Sequence, residues 1–282
     1  MQIEKVTGQF GARITGIDVT KPLSPDAVGA IRDAINEYGV LLFPKQPVLT
    51  AEQQLALAAQ FGEIETPPLL TKQSEHPQVL IVEFDKPKGS GADVWHTDAS
   101  HLEKPPMGTV IQAHILPEAG GDTCFSSMYS AYDALSAPMK AMLDGLTAQH
   151  STQALIASTN SRGQYDPDSF KVKPPVSHPI VTVNPVTGRR RLFVNSLYTI
   201  AVDGMSRAES DCLLRFLFEH IKCPEFQLRI NWSVGDLAFW DNLAVQHFAV
   251  ADYSERRRMQ RVTLLGDKPI GVREMEEAHE AV

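Results

Sequence analysis

Short runs with the β-branched and aromatic bias of strands recur along the whole chain, and stretches with helical periodicity are few. Residues 13–19, 39–43, 79–84, 109–116, 122–128, 180–183, 191–195, 226–232, 236–240 and 257–265 each predict a strand. Between two of them, Asn184-Pro185-Val186-Thr187-Gly188 predicts a hairpin turn. Helices are signalled by their caps. Thr50 with Gln53, and Ser206 with Glu209, form capping-box patterns ahead of amphipathic stretches. Ser24-Pro25 offers an N-cap followed by proline at the first helical position, and a further short helix is expected after Ser136. About ten strands, with helices near the N-terminus and at 206–221, predict a mainly β fold with flanking helices. The architecture expected is a sandwich or open barrel of the jelly-roll type. No internal repeat and no linker interrupts the chain, so residues 1–282 read as one domain. The polar, aperiodic stretch from Ala157 to Pro175 reads as a long loop over the sheet, of the kind that serves as a lid.

Composition narrows the class. The chain has 26 Lys and Arg against 34 Asp and Glu, a formal charge of −8, with 43% hydrophobic and 21% charged residues. That is the profile of a soluble globular protein. A pI near 5.6 leaves no basic surplus to neutralise phosphates, which argues against nucleic acid as a partner. Arg189-Arg190-Arg191 is a local exception. No apolar run approaches the ~20 residues that span a bilayer. The N-terminal segment lacks the apolar core of a signal peptide, so a cytoplasmic location is expected. Cys124, Cys212 and Cys223 are an odd number at wide spacing and fit neither a disulfide framework nor a cysteine zinc site.

Candidate chemistry begins with Trp95-His96-Thr97-Asp98. On a strand the side-chain period is two, so His96 and Asp98 point to one side and Thr97 to the other. A second histidine would complete the 2-His-1-carboxylate triad that leaves open positions on Fe(II). Alone, His-x-Asp is a weak signal, and His101-Leu102-Glu103 competes with it five residues on. His247, after an apolar strand and a short polar turn, is the third candidate, against the plain alternative of a satisfied core histidine. His76, His114, His150, His178, His220 and His279 have no partner spacing and read as structural.

The segment from Glu255 to Thr263 strengthens the metal reading. As a strand it puts Arg257, Met259 and Arg261 on one face and Arg256, Arg258 and Gln260 on the other. The two guanidiniums of the first face lie about 13 Å apart along the backbone. Buried arginines need anionic partners, and a guanidinium fork suits a carboxylate. A solvated basic edge explains Arg256 and Arg258 well, and Arg257 and Arg261 less well. A metal beside two inward arginines implies a site for small organic acids.

With these residues in place, the chain resembles the taurine dioxygenase/2,4-D dioxygenase family of Fe(II)- and 2-oxoglutarate-dependent oxygenases. The likeness runs from Gly11-Ala12-Arg13-Ile14-Thr15-Gly16-Ile17 through Trp95-His96-Thr97-Asp98 and Gly120-Gly121-Asp122-Thr123. It continues in Leu192-Phe193-Val194-Asn195, Trp240-Asp241-Asn242, Gln246-His247, Arg257 to Arg261 and Leu265-Gly266-Asp267. The resemblance implies a double-stranded β-helix of the jelly-roll, cupin-like kind. It implies that His96, Asp98 and His247 hold the iron, that Thr123 and Arg257 hold the distal carboxylate of 2-oxoglutarate, and that Arg261 meets an anionic group of the primary substrate. The gap between His247 and Arg257 is one residue shorter than in taurine dioxygenase, which leaves Arg258 as the alternative to Arg257. Oxidative decarboxylation would release succinate and CO2 while O2 supplies the hydroxyl placed on the substrate. The family also implies a homo-oligomer.

Around the substrate the chain departs from taurine dioxygenase. Pro67 and Leu70 stand where that enzyme has a histidine and a tyrosine, and Ala92 stands where an asparagine would help. The pocket is similar to that of the aryloxypropionate (phenoxy herbicide) dioxygenases, through Thr66-Pro67-Pro68-Leu69-Leu70, Ser127-Met128-Tyr129, Val194-Asn195 and Tyr198. The expected substrate is a small aryloxyalkanoate-like carboxylate held by Arg261 against Pro67, Leu70 and Tyr198, hydroxylated beside its heteroatom. The plain alternative is that Tyr198 and Leu70 pack the core. Two further readings stay open: an alkyl sulfonate or sulfate ester under the same chemistry, and a metal-binding jelly roll without turnover. Other catalytic classes lack support. There is no G-x-S-x-G elbow and no P-loop, and Gly89-Ser90-Gly91 has no strand-to-helix context.

Overall fold

The structure, a computed structural model, describes residues 1–66, 75–84, 93–153, 155, 156 and 174–280. Its strands are β1 (Gln2–Lys5), β2 (Ala12–Thr15), β3 (Val40–Phe43), β4 (Leu80–Phe84), β5 (Gly108–Ile115), β6 (Thr123–Ser127), β7 (Thr147–His150) and β8 (Val176–Pro179). They continue as β9 (Val181–Val183), β10 (Arg190–Leu192), β11 (Thr199–Val202), β12 (Gln227–Ile230), β13 (Leu237–Asp241), β14 (Val245–Ala249) and β15 (Arg257–Leu264). All ten expected strands are present, with ends moved by a few residues. The expected lid segment lies outside the described residues, except for Pro174 and Pro175.

Each capping signal starts a helix. Ser24 Oγ accepts from the Ala27 amide at 3.2 Å, and the helix Pro25–Tyr38 ends at Gly39, whose φ of 71° is left-handed. Full capping boxes at Thr50/Gln53 and Ser206/Glu209 start Ala51–Ala58 and Arg207–His220. Ser136 caps Ala137–Leu143. Two helices went unpredicted: Met128–Asp133, capped by Ser127 and buried along most of its length, and Val272–Glu280. Among the described residues, no helix is long and apolar enough to cross a membrane.

A seven-stranded sheet has the order β1-β2-β3-β13-β5-β15-β4, and a three-stranded sheet the order β12-β6-β14. Their inner faces share one core, in which Ala113, Ala238, Trp240 and Met259 of the large sheet meet Phe125, Leu228, Ile230 and Val245 of the small one. This is the jelly-roll sandwich. Strand alternation sends the intervening residues Val110, Phe239 and Val262 to the outer face, where they pack with Ile31, Ile35 and Leu57 of the first two helices. A further core gathers β7, β9 and β10 with the helix Arg207–His220.

Three buried glutamines tie the outer face of the large sheet to its surroundings. Gln112 and Gln260 are directly opposed across β5 and β15. Gln54 Nε2 donates to the carbonyls of Val110 and Gln260, and Gln260 Nε2 donates to Gln54 Oε1 at 2.9 Å. Gln112 accepts from the Leu49 amide at 2.8 Å and donates to the carbonyls of Pro47 and Gly235. These bonds satisfy backbone groups that the sheet ladder leaves unpaired. Gln112→Leu strands three of them, so urea denaturation should show a loss of about 2–4 kcal/mol. A loss below about 0.5 kcal/mol would mean these bonds contribute nothing to stability.

Candidate metal centre

β6 and β14 run antiparallel with Phe125 opposite His247. On the free side of β14 a short segment adds by a single bridge. The His96 amide donates to the His247 carbonyl at 3.1 Å, and the His247 amide to the His96 carbonyl at 2.9 Å. Two histidines far apart in sequence are thereby held ring to ring, with centroids 4.2 Å apart. The expectation of a strand through Asp98 is corrected: only His96 is bridged, and the chain turns at Asp98. Ala99 takes a left-handed φ of 47° in that turn. Asn242 explains why so bent a segment is held. Its Oδ1 accepts from the Asp98 amide at 2.9 Å, and its Nδ2 donates to the carbonyls of Asp98 and Pro106.

Asp98 Oδ1 lies 3.6 Å from His96 Nε2 and 3.7 Å from His247 Nε2. These separations are too long for hydrogen bonds. The three donor atoms therefore face a common point without satisfying one another, and all lie within 4.8 Å. His96 Nδ1 donates to the Val94 carbonyl at 2.8 Å, which fixes the ring's orientation and turns Nε2 toward the centre. For Asp98, burial would raise the pKa. The Arg261 guanidinium, then His247 and His96, outweigh it and hold the carboxyl far below the usual range. Burial, then the neighbouring His96, pushes His247 down to about 3, so its ring is neutral. Two imidazoles and one carboxylate are the donor set of a non-haem Fe(II) site. Among the described residues this is the one group placed to hold a metal. The competitor His101 instead packs its ring on Tyr198, with centroids 4.9 Å apart.

Arg257 faces inward, 6% exposed, with Nε donating to the Gly121 carbonyl at 3.0 Å. Gly121 makes room for it, and Gly120 for the neighbouring Asp252. A Cβ on Gly121 would stand 3.0 Å from Arg257 Cδ and Nε, and one on Gly120 would stand 2.5 Å from Asp252 Oδ1. Both glycines have positive φ, 82° and 74°, as a chain held this close requires. Among the described residues no carboxylate forms an ion pair with Arg257, and burial pushes its pKa down. Arg258 turns the other way, and with Arg256 it pairs with Glu83 on β4. The side chain that β15 sends inward is therefore that of Arg257.

Arg261 also faces inward, but in this structure its Nη2 bonds Asp98 Oδ2 at 2.7 Å and Thr109 Oγ1 at 3.2 Å. Tyr198 is 8% exposed, its amide held by Asn195 Oδ1 at 2.9 Å. Pro67, Leu70 and Ala92 lie outside the described residues. Glu65 was missed in the sequence. Its amide bonds the Thr263 carbonyl at 2.9 Å, opposite β15 and two residues from Arg261. Burial raises its pKa against the pull of Arg261, so a second acid sits near the centre. The signal available was its place three residues after the Phe61-Gly62 pair, which alone did not mark it.

Behind the ligand turn, Ser100 Oγ accepts from Asn195 Nδ2 at 2.9 Å and lies 3.0 Å from His150 Nδ1. Burial pushes His150 down to about 3, reinforced by His178 and His101. The unfolded chain takes up this proton near pH 6.5, whereas the folded one resists it until about pH 3. The contribution of His150 to stability is therefore full above pH 6.5 and falls as pH drops through that window, by about 2 kcal/mol at pH 5. His150→Phe should lower the pH slope of the unfolding free energy between pH 4 and 6 by about one proton. An unchanged slope would mean that His150 titrates normally in the fold.

The profile of the family described as "Taurine catabolism dioxygenase TauD, TfdA family" matches residues 2–263. An α-ketoglutarate-dependent sulfate ester dioxygenase of Pseudomonas putida is 32% identical over 96% of this chain and 92% of its own length. An α-ketoglutarate-dependent 2,4-dichlorophenoxyacetate dioxygenase of Cupriavidus pinatubonensis is 33% identical over 92% of this chain and 95% of its own. The crystal structure of a taurine dioxygenase from Burkholderia xenovorans matches with a TM-score of 0.83 at 34% identity, over 97% of this chain and 92% of that one.

Proposed function

Because the chain belongs to the TauD/TfdA family of Fe(II)- and 2-oxoglutarate-dependent dioxygenases, we propose that it hydroxylates an aryloxyalkanoate-like carboxylate beside its heteroatom. The enzyme class itself follows from the family, and the reading of a metal-binding protein without turnover is set aside. Bound Fe(II) with 2-oxoglutarate and O2 supplies oxidative decarboxylation to succinate and CO2 and the oxygen atom transferred to the substrate.

The chain's own residues do the rest. His96, Asp98 and His247 would hold the iron at one end of the inner face. Thr123 and Arg257 would fix the distal carboxylate of the cosubstrate. The observation that carries this reading is the buried guanidinium of Arg257, which forms no ion pair among the described residues and lies on the same face of β15 as the core residue Met259. Arg261 would take the anionic end of the primary substrate, loosening its bond to Asp98 as the metal assumes that charge. Tyr198, Pro67 and Leu70 would cover the apolar body, and the His101–Tyr198 ring pair supports an aromatic wall. Hydroxylation beside an ether oxygen gives a hemiacetal that collapses to a phenol and an oxo acid.

A sulfate ester or alkyl sulfonate is the second reading, favoured by the sulfate ester dioxygenase among the relatives at similar identity. Three free cysteines support a reducing, cytoplasmic setting. The four exposed residues of β1, paired on one edge only among the described residues, support assembly with a second copy.

Succinate release measured over aryloxyalkanoates, sulfonates and sulfate esters separates the two substrate readings. Phenol formed with succinate is expected, and sulfate or sulfite in its place moves the second reading to the front. Arg257→Ala should raise the 2-oxoglutarate requirement by about 100-fold or more, and Arg258→Ala by less than about 2-fold. The reverse order would contradict the assignment of Arg257.

A further inference from the structure

The hydroxyl of Thr123 has a partner of its own. The Trp232 indole Nε1 donates to Thr123 Oγ1 at 3.0 Å, and Trp232 is 8% exposed. An indole N–H can only donate, so the threonine oxygen is the acceptor in this bond. Its one proton must then point elsewhere. Among the described residues no protein acceptor takes it. Ile230, part of the apolar core, lies opposite Thr123 across the ladder. A hydroxyl held as acceptor on one side and unanswered on the other is a donor prepared for a ligand.

Strand alternation shows how this arrangement is kept. Ile230 of β12 lies opposite Thr123 of β6. Leu228, Ile230 and Trp232 turn inward, and Arg229 and Asn231 turn outward. The outward pair hold the Asp122 carboxylate, with Arg229 Nε at 2.5 Å from Oδ2 and Asn231 Nδ2 at 2.9 Å from Oδ1. The acid nearest Thr123 in the chain is thus drawn away from Arg257, while Arg257 grips the carbonyl of Gly121, two residues before Thr123. One short segment ends with a guanidinium and a hydroxyl proton that both lack an anion.

We propose that Trp232 is a positioning residue for the cosubstrate: its N–H sets the Thr123 hydroxyl so that the proton is directed at the distal carboxylate of 2-oxoglutarate. In this role Trp232 acts through Thr123, whose hydroxyl its indole N–H bonds. The inference rests on Thr123 and Arg257 being the anchor for that carboxylate.

The test measures binding rather than turnover. The full-length Fe(II) protein is titrated anaerobically with 2-oxoglutarate and, separately, with 2-oxobutyrate, which chelates through the same keto acid but lacks the distal carboxylate. Affinities are read from the visible charge-transfer band. Trp232→Phe should weaken 2-oxoglutarate about tenfold, in line with loss of an oriented hydrogen bond to a charged group, and leave 2-oxobutyrate unchanged. Thr123→Val should weaken 2-oxoglutarate at least as much, and the double variant should be no weaker than Thr123→Val alone. Equal weakening of both acids, no weakening of 2-oxoglutarate, or additive losses in the double variant would overturn the role of Trp232. If Arg257→Ala and Thr123→Val both leave 2-oxoglutarate binding unchanged, the anchor reading fails, whatever Trp232→Phe does. Should Trp232→Phe not fold, benzothienylalanine at position 232 removes only the N–H from the same ring system, and the same criteria apply.

Discussion

Everything in this centre depends on the cost of burying one carboxylate. Asp98 is 9% exposed, in a core where an unpaired charge would be expelled or protonated. It stays ionised chiefly because the Arg261 guanidinium bonds it at 2.7 Å. The turn that carries it includes a non-glycine residue in left-handed conformation, and Asn242 fixes the backbone on both sides of the carboxylate-bearing residue. A metal ion answers the same need as Arg261. Iron sharing the Asp98 charge would free the arginine to meet an anion, and metal loading and substrate binding would then be coupled by charge.

The sandwich turns this local requirement into a site. β15 contributes two arginines to the inner face, one at each end of Met259, and β6 and β14 contribute Thr123 and His247 from the opposing sheet. Neither sheet could assemble the set alone. Because successive side chains alternate, a slip of one residue in β15 would present Arg258 and Gln260 instead. The outer face guards against that slip. Gln260 is opposed to Gln112 and bonded to Gln54 beneath the Ala51–Ala58 helix, and Arg258 is drawn to Glu83.

Much of this was legible in the sequence, for identifiable reasons. Capping residues act locally, so Ser24, Thr50, Ser136 and Ser206 marked helix starts correctly. The two-residue period of β15 correctly separated Arg257 from Arg258 before any fold was known. What escaped detection was non-local. The bend at Asp98 depends on an asparagine more than a hundred residues away, and nothing near His96 announces it. Met128–Asp133 lacks an amphipathic pattern because it is buried along most of its length. Glu65, Trp232 and Ser100 have meaning only through partners that the fold brings to them.

The central claim is that His96, Asp98 and His247 form one Fe(II) centre that chelates 2-oxoglutarate. Anaerobic addition of Fe(II), followed by 2-oxoglutarate, tests it most directly. A visible metal-to-ligand charge-transfer band should rise to saturation at one iron and one 2-oxoglutarate per chain. A chain that binds iron stoichiometrically yet develops no band on adding 2-oxoglutarate would contradict it.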